Sequence, residues 1–185
     1  MKISRTHTHA LAAVLLLLLA VCADTAPTVA QFRAELTALK AAAKKLKDYS
    51  AFARGIDRML KYPDSRMHEI FNTTLFVPTT KALMALGVKT LMNNTAMEAI
   101  GKYNVLAKQF TGAQLLKLAP NAVLRTKAKE VLVRYPSTGA NVGKVVLGPQ
   151  GAPVLNQGVV LTPNLYTGKF LKAHGLSTFF RPKGY

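Results

Sequence analysis

The chain has 185 residues, 50% of them hydrophobic, and its 25 Lys and Arg outnumber 8 Asp and Glu for a net charge of +17. That length suits one domain with a real core rather than several, and a lone cysteine, Cys22, can form no disulfide within the chain. The charge selects acidic partners, whether wall or matrix polyanion, anionic membrane or nucleic acid, and is silent about the fold.

Residues 1–23 read as a signal peptide. Lys2 and Arg5 make a basic start, Leu11 to Val21 is an apolar run too short to span a bilayer comfortably, and Val21-Cys22-Ala23 supplies small residues for cleavage. Cleavage is expected after Ala23, which removes Cys22 and two positive charges and leaves +15. An uncleaved anchor suits this short run less well, and Val21 is bulky for a residue preceding a lipidated cysteine. The closing Phe179 to Tyr185 lacks the apolar tail of a GPI signal. The expectation is one secreted domain over residues 24–185, without cysteine and without a stable membrane anchor, stabilised by packing alone.

From Val29 to Lys47 the apolar residues Val29, Phe32, Leu36, Leu39, Ala43 and Leu46 recur at helical spacing. Arg33, Lys40, Lys44 and Lys47 fall on the other side. Such a face is ordinarily just solvated; the sharper reading makes these four the contacts for a polyanion. A second helix with Phe52, Ile56, Met59 and Leu60 inward is ended by Pro63. Then comes TLFVPTTKAL, Thr74 to Leu83. Leu75-Phe76-Val77 reads as a buried strand stopped by Pro78, and Thr79 or Thr80 caps a helix carrying Ala82, Leu83 and Leu86. A strand turning straight into a helix needs core on either side of it.

Asn93 opens another helix, through Met97 and Ile100 to a stop at Gly101; Tyr103 to Leu106 is strand-like, and Thr111 opens a short helix through Leu115. After Pro120 the runs Ala122 to Leu124, Val131 to Tyr135, Val145 to Leu147, Ala152 to Leu155 and Val159 to Thr162 alternate with Gly-, Pro- and Asn-rich turns. This order predicts an α+β domain closed by an antiparallel meander.

Three blocks in this order resemble fasciclin (FAS1) domains. Leu75-Phe76-Val77-Pro78-Thr79-Thr80 is similar to the first signature block, with Thr80 where the family usually has Asp. Tyr103-Asn104-Val105-Leu106 with Thr111 to Leu115 resembles the central Tyr-His block, with Asn104 in the histidine position. Phe170 to Leu176, running on to Phe179-Phe180-Arg181-Pro182, looks like the second signature block with its His-Gly turn. The resemblance implies an α+β module in which helices pack on an antiparallel β-sandwich wedge, of the plant secreted single-domain kind. It further implies adhesion or contact with matrix or cell wall, without catalysis. Asn104 argues against carrying integrin contact over to Tyr103. The isolated Ala-Pro pairs at Ala26, Ala119 and Ala152 argue against heavy arabinogalactan decoration.

Two sequons, Asn72-Thr73-Thr74 and Asn93-Asn94-Thr95, are candidate N-glycosylation sites. Within residues 24–185 only His68 and His174 remain, too few for a histidine metal site, and His174 beside Gly175 reads as a turn or core histidine rather than a general base. Gly139 to Val145 has the wrong spacing for a phosphate loop, and no Gly-x-Ser-x-Gly elbow occurs. No enzyme, cofactor or metal is expected, and secretion disfavours nucleic acid. The expected partner is an acidic wall or matrix polysaccharide, with other matrix proteins possible. The alternative is a basic defence protein acting on anionic membranes.

Overall fold

The structure, a computed structural model, describes residues 28–153 and 156–181. The signal segment with Ala23 and Cys22, the strand expected to end at Leu155, and Pro182 lie outside those residues. Helix α1, Val29–Lys45, begins in a capping box: Gln31 N–H donates to Thr28 Oγ1 at 3.2 Å and Thr28 N–H to Gln31 Oε1 at 3.0 Å. Its apolar stripe, Phe32, Leu36, Leu39 and Ala43, is completely buried. After a 3₁₀ turn at Lys47–Tyr49, helix α2 spans Ser50–Met59. No side chain of its own caps it; Ala51 N–H instead donates to Thr80 Oγ1 at 3.3 Å. Thr80 thus caps a helix other than its own, while Thr79 caps the helix that follows it through Ala82 N–H at 3.2 Å.

Helix α3, Asp64–Met67, leads into strand β1, Thr73–Pro78, whose six residues are all buried. Helices α4, Thr80–Met84, and α5, Val88–Met92, precede α6, Asn94–Tyr103, where Asn93 Oδ1 accepts from Ala96 N–H at 3.0 Å. Gly101 does not stop α6 as the sequence suggested. A mid-helix glycine costs only about 1 kcal/mol, and one more turn buries Tyr103 beside Ile100. The expected strand from Tyr103 therefore shrinks to β2, Val105–Leu106, and α7, Gly112–Lys117, follows with a second capping box between Thr111 and Gln114.

Strands β3, Val123–Arg125, β4, Val131–Tyr135, β5, Val146–Pro149, β6, Gly158–Thr167, and β7, Leu171–Leu176, form the predicted meander, each antiparallel to the next. Ala152 and Pro153 belong to no strand. The sheet order is β2-β1-β7-β6-β5-β4-β3, and β7 runs parallel to β1 from Thr73↔Leu171 to Pro78↔Leu176. Among the described residues the strands make one mixed sheet of seven, where an antiparallel sandwich wedge was expected. β7 ends the meander already antiparallel to β6, so when it fills the gap beside β1 its direction is fixed, and here it matches β1.

Successive β1 side chains point to opposite faces, and each face meets a core. Leu75 and Val77 pack with Phe32, Leu36, Ile56, Phe170 and Ala173, whereas Phe76 packs with Tyr103, Leu115, Leu132, Leu176 and Phe180. Core on both sides of the Leu75-Phe76-Val77 segment is what the strand-to-helix turn required. The Phe76 and Phe180 rings meet edge to face at 6.0 Å.

Candidate polyanion-binding surface

The four cations expected on α1 divide into two pairs. The Arg33 guanidinium donates to the Leu60 and Tyr62 carbonyls, the latter at 2.7 Å, and pairs with Asp64 at 3.1 Å. Lys40 pairs with Asp57. Both heads therefore fasten α1 to the α2–α3 region, where a helix-wheel reading cannot see their partners. Lys44 and Lys47 are exposed. Asp57 reports what surrounds it: the Lys40 hydrogen bond, with the nearby charges of Lys40, Lys44 and Lys61, holds its carboxyl below the ordinary value against weaker desolvation. Lys40 bonds this carboxylate, while Lys44 and Lys61 act on it through their charge alone. The α1 pattern missed Lys61, just beyond α2, and Lys45, exposed in the last turn of α1.

Glu98, Glu69 and Glu35 are also occupied. Glu98 pairs with Lys102 at 3.0 Å and Arg66 at 3.6 Å, and Lys102 reaches Glu69 at 3.8 Å. Glu35 accepts from Lys169 N–H at 2.7 Å and Phe170 N–H at 3.1 Å, clamping the β6–β7 turn to α1. Among the described residues, ion pairs engage only Arg33, Lys40, Arg66 and Lys102. The surface therefore carries a large excess of cations without a carboxylate, the property that attracts a polyanion in a salt-dependent way.

The other singled-out residues face inward. Tyr103 is 2% exposed, and burial, reinforced by Glu130, pushes its hydroxyl up to about 12. It is not presented to a partner. Asn104, also 2% exposed, donates to Ile100 O and Phe180 O, both at 2.8 Å, and accepts from Phe180 N–H at 3.1 Å. The amide thereby locks the central block to the closing segment.

His174 is fully buried inside β7, not in a turn. Its Nδ1 accepts from Asn164 N–H at 2.9 Å, so Nε2 carries the proton and donates to Phe110 O at 2.8 Å. With both nitrogens bonded to backbone, the imidazole is a structural tie and is not placed to act as a base. Burial lowers its pKa below the usual 6.5, with the Phe110 bond opposing. The unfolded chain then gains a proton near pH 6.5 that the folded chain refuses. Stability should be full above that pH and fall below it, by at most about 1.4 kcal/mol per pH unit. Denaturant titrations at pH 7.5 and 5.0 should show this loss, and His174→Gln should flatten it; a wild-type profile level across the interval would contradict the assignment.

Asn72 and Asn93 are both exposed. Asn72 adopts a left-handed conformation at φ 53° and receives a 3.4 Å contact from Gln109 Nε2, while Asn93 uses only its Oδ1 as the α6 cap.

No family model matches the chain, and no curated protein matches it in sequence. Among solved structures, 15 chains match. One is a FAS1 domain pair from the insect cell adhesion molecule fasciclin I, at a TM-score of 0.47 and 11% identity, covering 59% of this chain and 36% of that one.

Proposed function

We propose that the chain is a secreted, non-enzymatic module of the FAS1 type that acts in adhesion or in contact with matrix or cell wall, by binding acidic polysaccharide through its basic surface. The observation that carries this reading is the exposure of Lys44, Lys45 and Lys47 at the end of α1 and just after it, with Asp48 as their acidic neighbour in sequence, while the Asp57 carboxylate is taken up by Lys40. The fasciclin-like part rests on the three sequence blocks and is supported by their meeting: β1 pairs with β7, and Asn104 bonds to Phe180. Lys44 and Lys47 remain the proposed contacts of the original four, joined by Lys45 and Lys61, with Arg33 and Lys40 holding the surface in shape. The membrane-active alternative is less well supported, because the apolar side of basic α1 is enclosed in the core and cannot turn to lipid.

The chain expressed with its leader should be retained on immobilised polygalacturonate at low salt and elute at a few hundred millimolar, because exposed charges are screened over about 8 Å at 0.15 M salt. Lys44→Gln with Lys47→Gln should elute distinctly earlier. Retention indifferent to salt, or none at low salt, would remove the proposal. Intact mass of the same secreted sample reads cleavage after Ala23 and glycan on Asn72 and Asn93.

A further inference from the structure

A cleft of about 300 Å³ opens between α4 and the segment following β7, and none of Lys40, Lys44, Lys47 and Lys61 is among the residues that line it. Lys81 stands on the α4 side and Arg181 on the other, both exposed, and no carboxylate lines the space. Ala82 and Ala85 keep the α4 wall shallow, and Phe179 adds an apolar wall opposite. Ser177 also contributes: its Oγ accepts from Val159 N–H at 2.9 Å, which leaves its own O–H free to donate.

We propose that this cleft binds one anionic sugar residue, a ring bearing a carboxylate or a sulfate. The site deepens the acidic-saccharide reading above and rests on it. A guanidinium and an ammonium facing one space, with hydroxyl donors beside them, match an anion carrying several acceptor oxygens. The apolar wall suits the C–H face of a pyranose, and about 300 Å³ is the lower bound for small-molecule sites, enough for one ring and not for a chain. Both walls are set in advance. Thr79 caps α4 and Thr80 ties it to α2, while Ser177 N–H bonds Val159 O at 2.9 Å and Asn104 holds Phe180 on both sides of its peptide unit. Little ordering remains to oppose binding.

Amide spectra of the secreted chain, titrated separately with galacturonic acid, galactose 6-sulfate and galactose, test this. At least one anionic sugar should shift the amides of residues 81–85 and 177–181 with millimolar affinity, and galactose should not; whichever binds names the anion. Lys81→Gln with Arg181→Gln should weaken binding at least tenfold, with unchanged circular dichroism, whereas Lys44→Gln with Lys47→Gln should leave it intact. Silence from both anionic sugars, or equal binding by the Lys81/Arg181 double variant, overturns the proposal. Loss of column retention with cleft binding intact counts against the lysine cluster alone, and retention with an empty cleft counts against the cleft alone.

Discussion

Asn104→Ala is expected to lower the unfolding free energy by about 3 kcal/mol, the cost of leaving buried donors and acceptors without partners at roughly 1–3 kcal/mol per group. The Asn104 side chain makes three hydrogen bonds, two of them to the peptide groups of Phe180, and it is only 2% exposed. For a chain of this size such a loss lowers Tm by about 6–12 °C. Asn104→Asp, nearly the same shape, should be worse, because it removes both N–H donors and confines a charge where no cation is bonded to it. Asn104→His should fall between wild type and alanine, since an imidazole offers one donor and one acceptor. Denaturant melts with unchanged slope are the measurement. An alanine variant within about 0.5 kcal/mol of wild type would mean the clasp contributes nothing beyond an ordinary surface site.

The second large effect is expected at Gly175. A Cβ placed there would lie 2.8 Å from Tyr49 Cε1 and closer still to its Cζ and hydroxyl, while the Tyr49 hydroxyl is itself held 2.8 Å from Thr162 Oγ1. Tyr49 is 3% exposed, so its ring has nowhere to retreat. Gly175→Ala should therefore cost about 3 kcal/mol, the upper end of usual overpacking penalties. Tyr49→Ala should itself be costly by creating a cavity, yet each change should relieve the other. The double variant is expected to be more stable than additivity allows by more than about 1 kcal/mol. Strict additivity would show that the ring and the glycine do not compete for the same space.

The local pattern carried most of the secondary structure. The periodicity of α1 and the β-branched runs of the meander are properties of neighbouring residues, and β4 was legible to the residue. Helices α3 and α5 were missed because four and five residues display no periodicity. Gly175 was read as a turn because His-Gly is turn chemistry; its actual role, making room for Tyr49, is set by a residue far away in the chain. The parallel partnership of β1 and β7 was likewise invisible, since no local signal chooses which strand fills a gap. The candidate surface divides on the same ground. Exposure of Lys44 followed from its helical position, while Lys47, expected on the same helix, lies past its end in the 3₁₀ turn; the engagement of Arg33 and Lys40 depended on Asp64 and Asp57 from other helices, and the cleft needed two segments that the sequence alone does not bring together.

The placement of β7 also governs how the molecule can be made. The last of the described strands in chain order is not an edge strand: β7 lies between β1 and β6 and pairs with both. Until it arrives, two strand edges and the apolar residues of β1 lack their cover, a condition that invites pairing with other chains. Synthesis of the helices and the first six strands therefore cannot yield a finished body. Closure waits for translation to pass Leu176, so the segments made before it must be shielded until then.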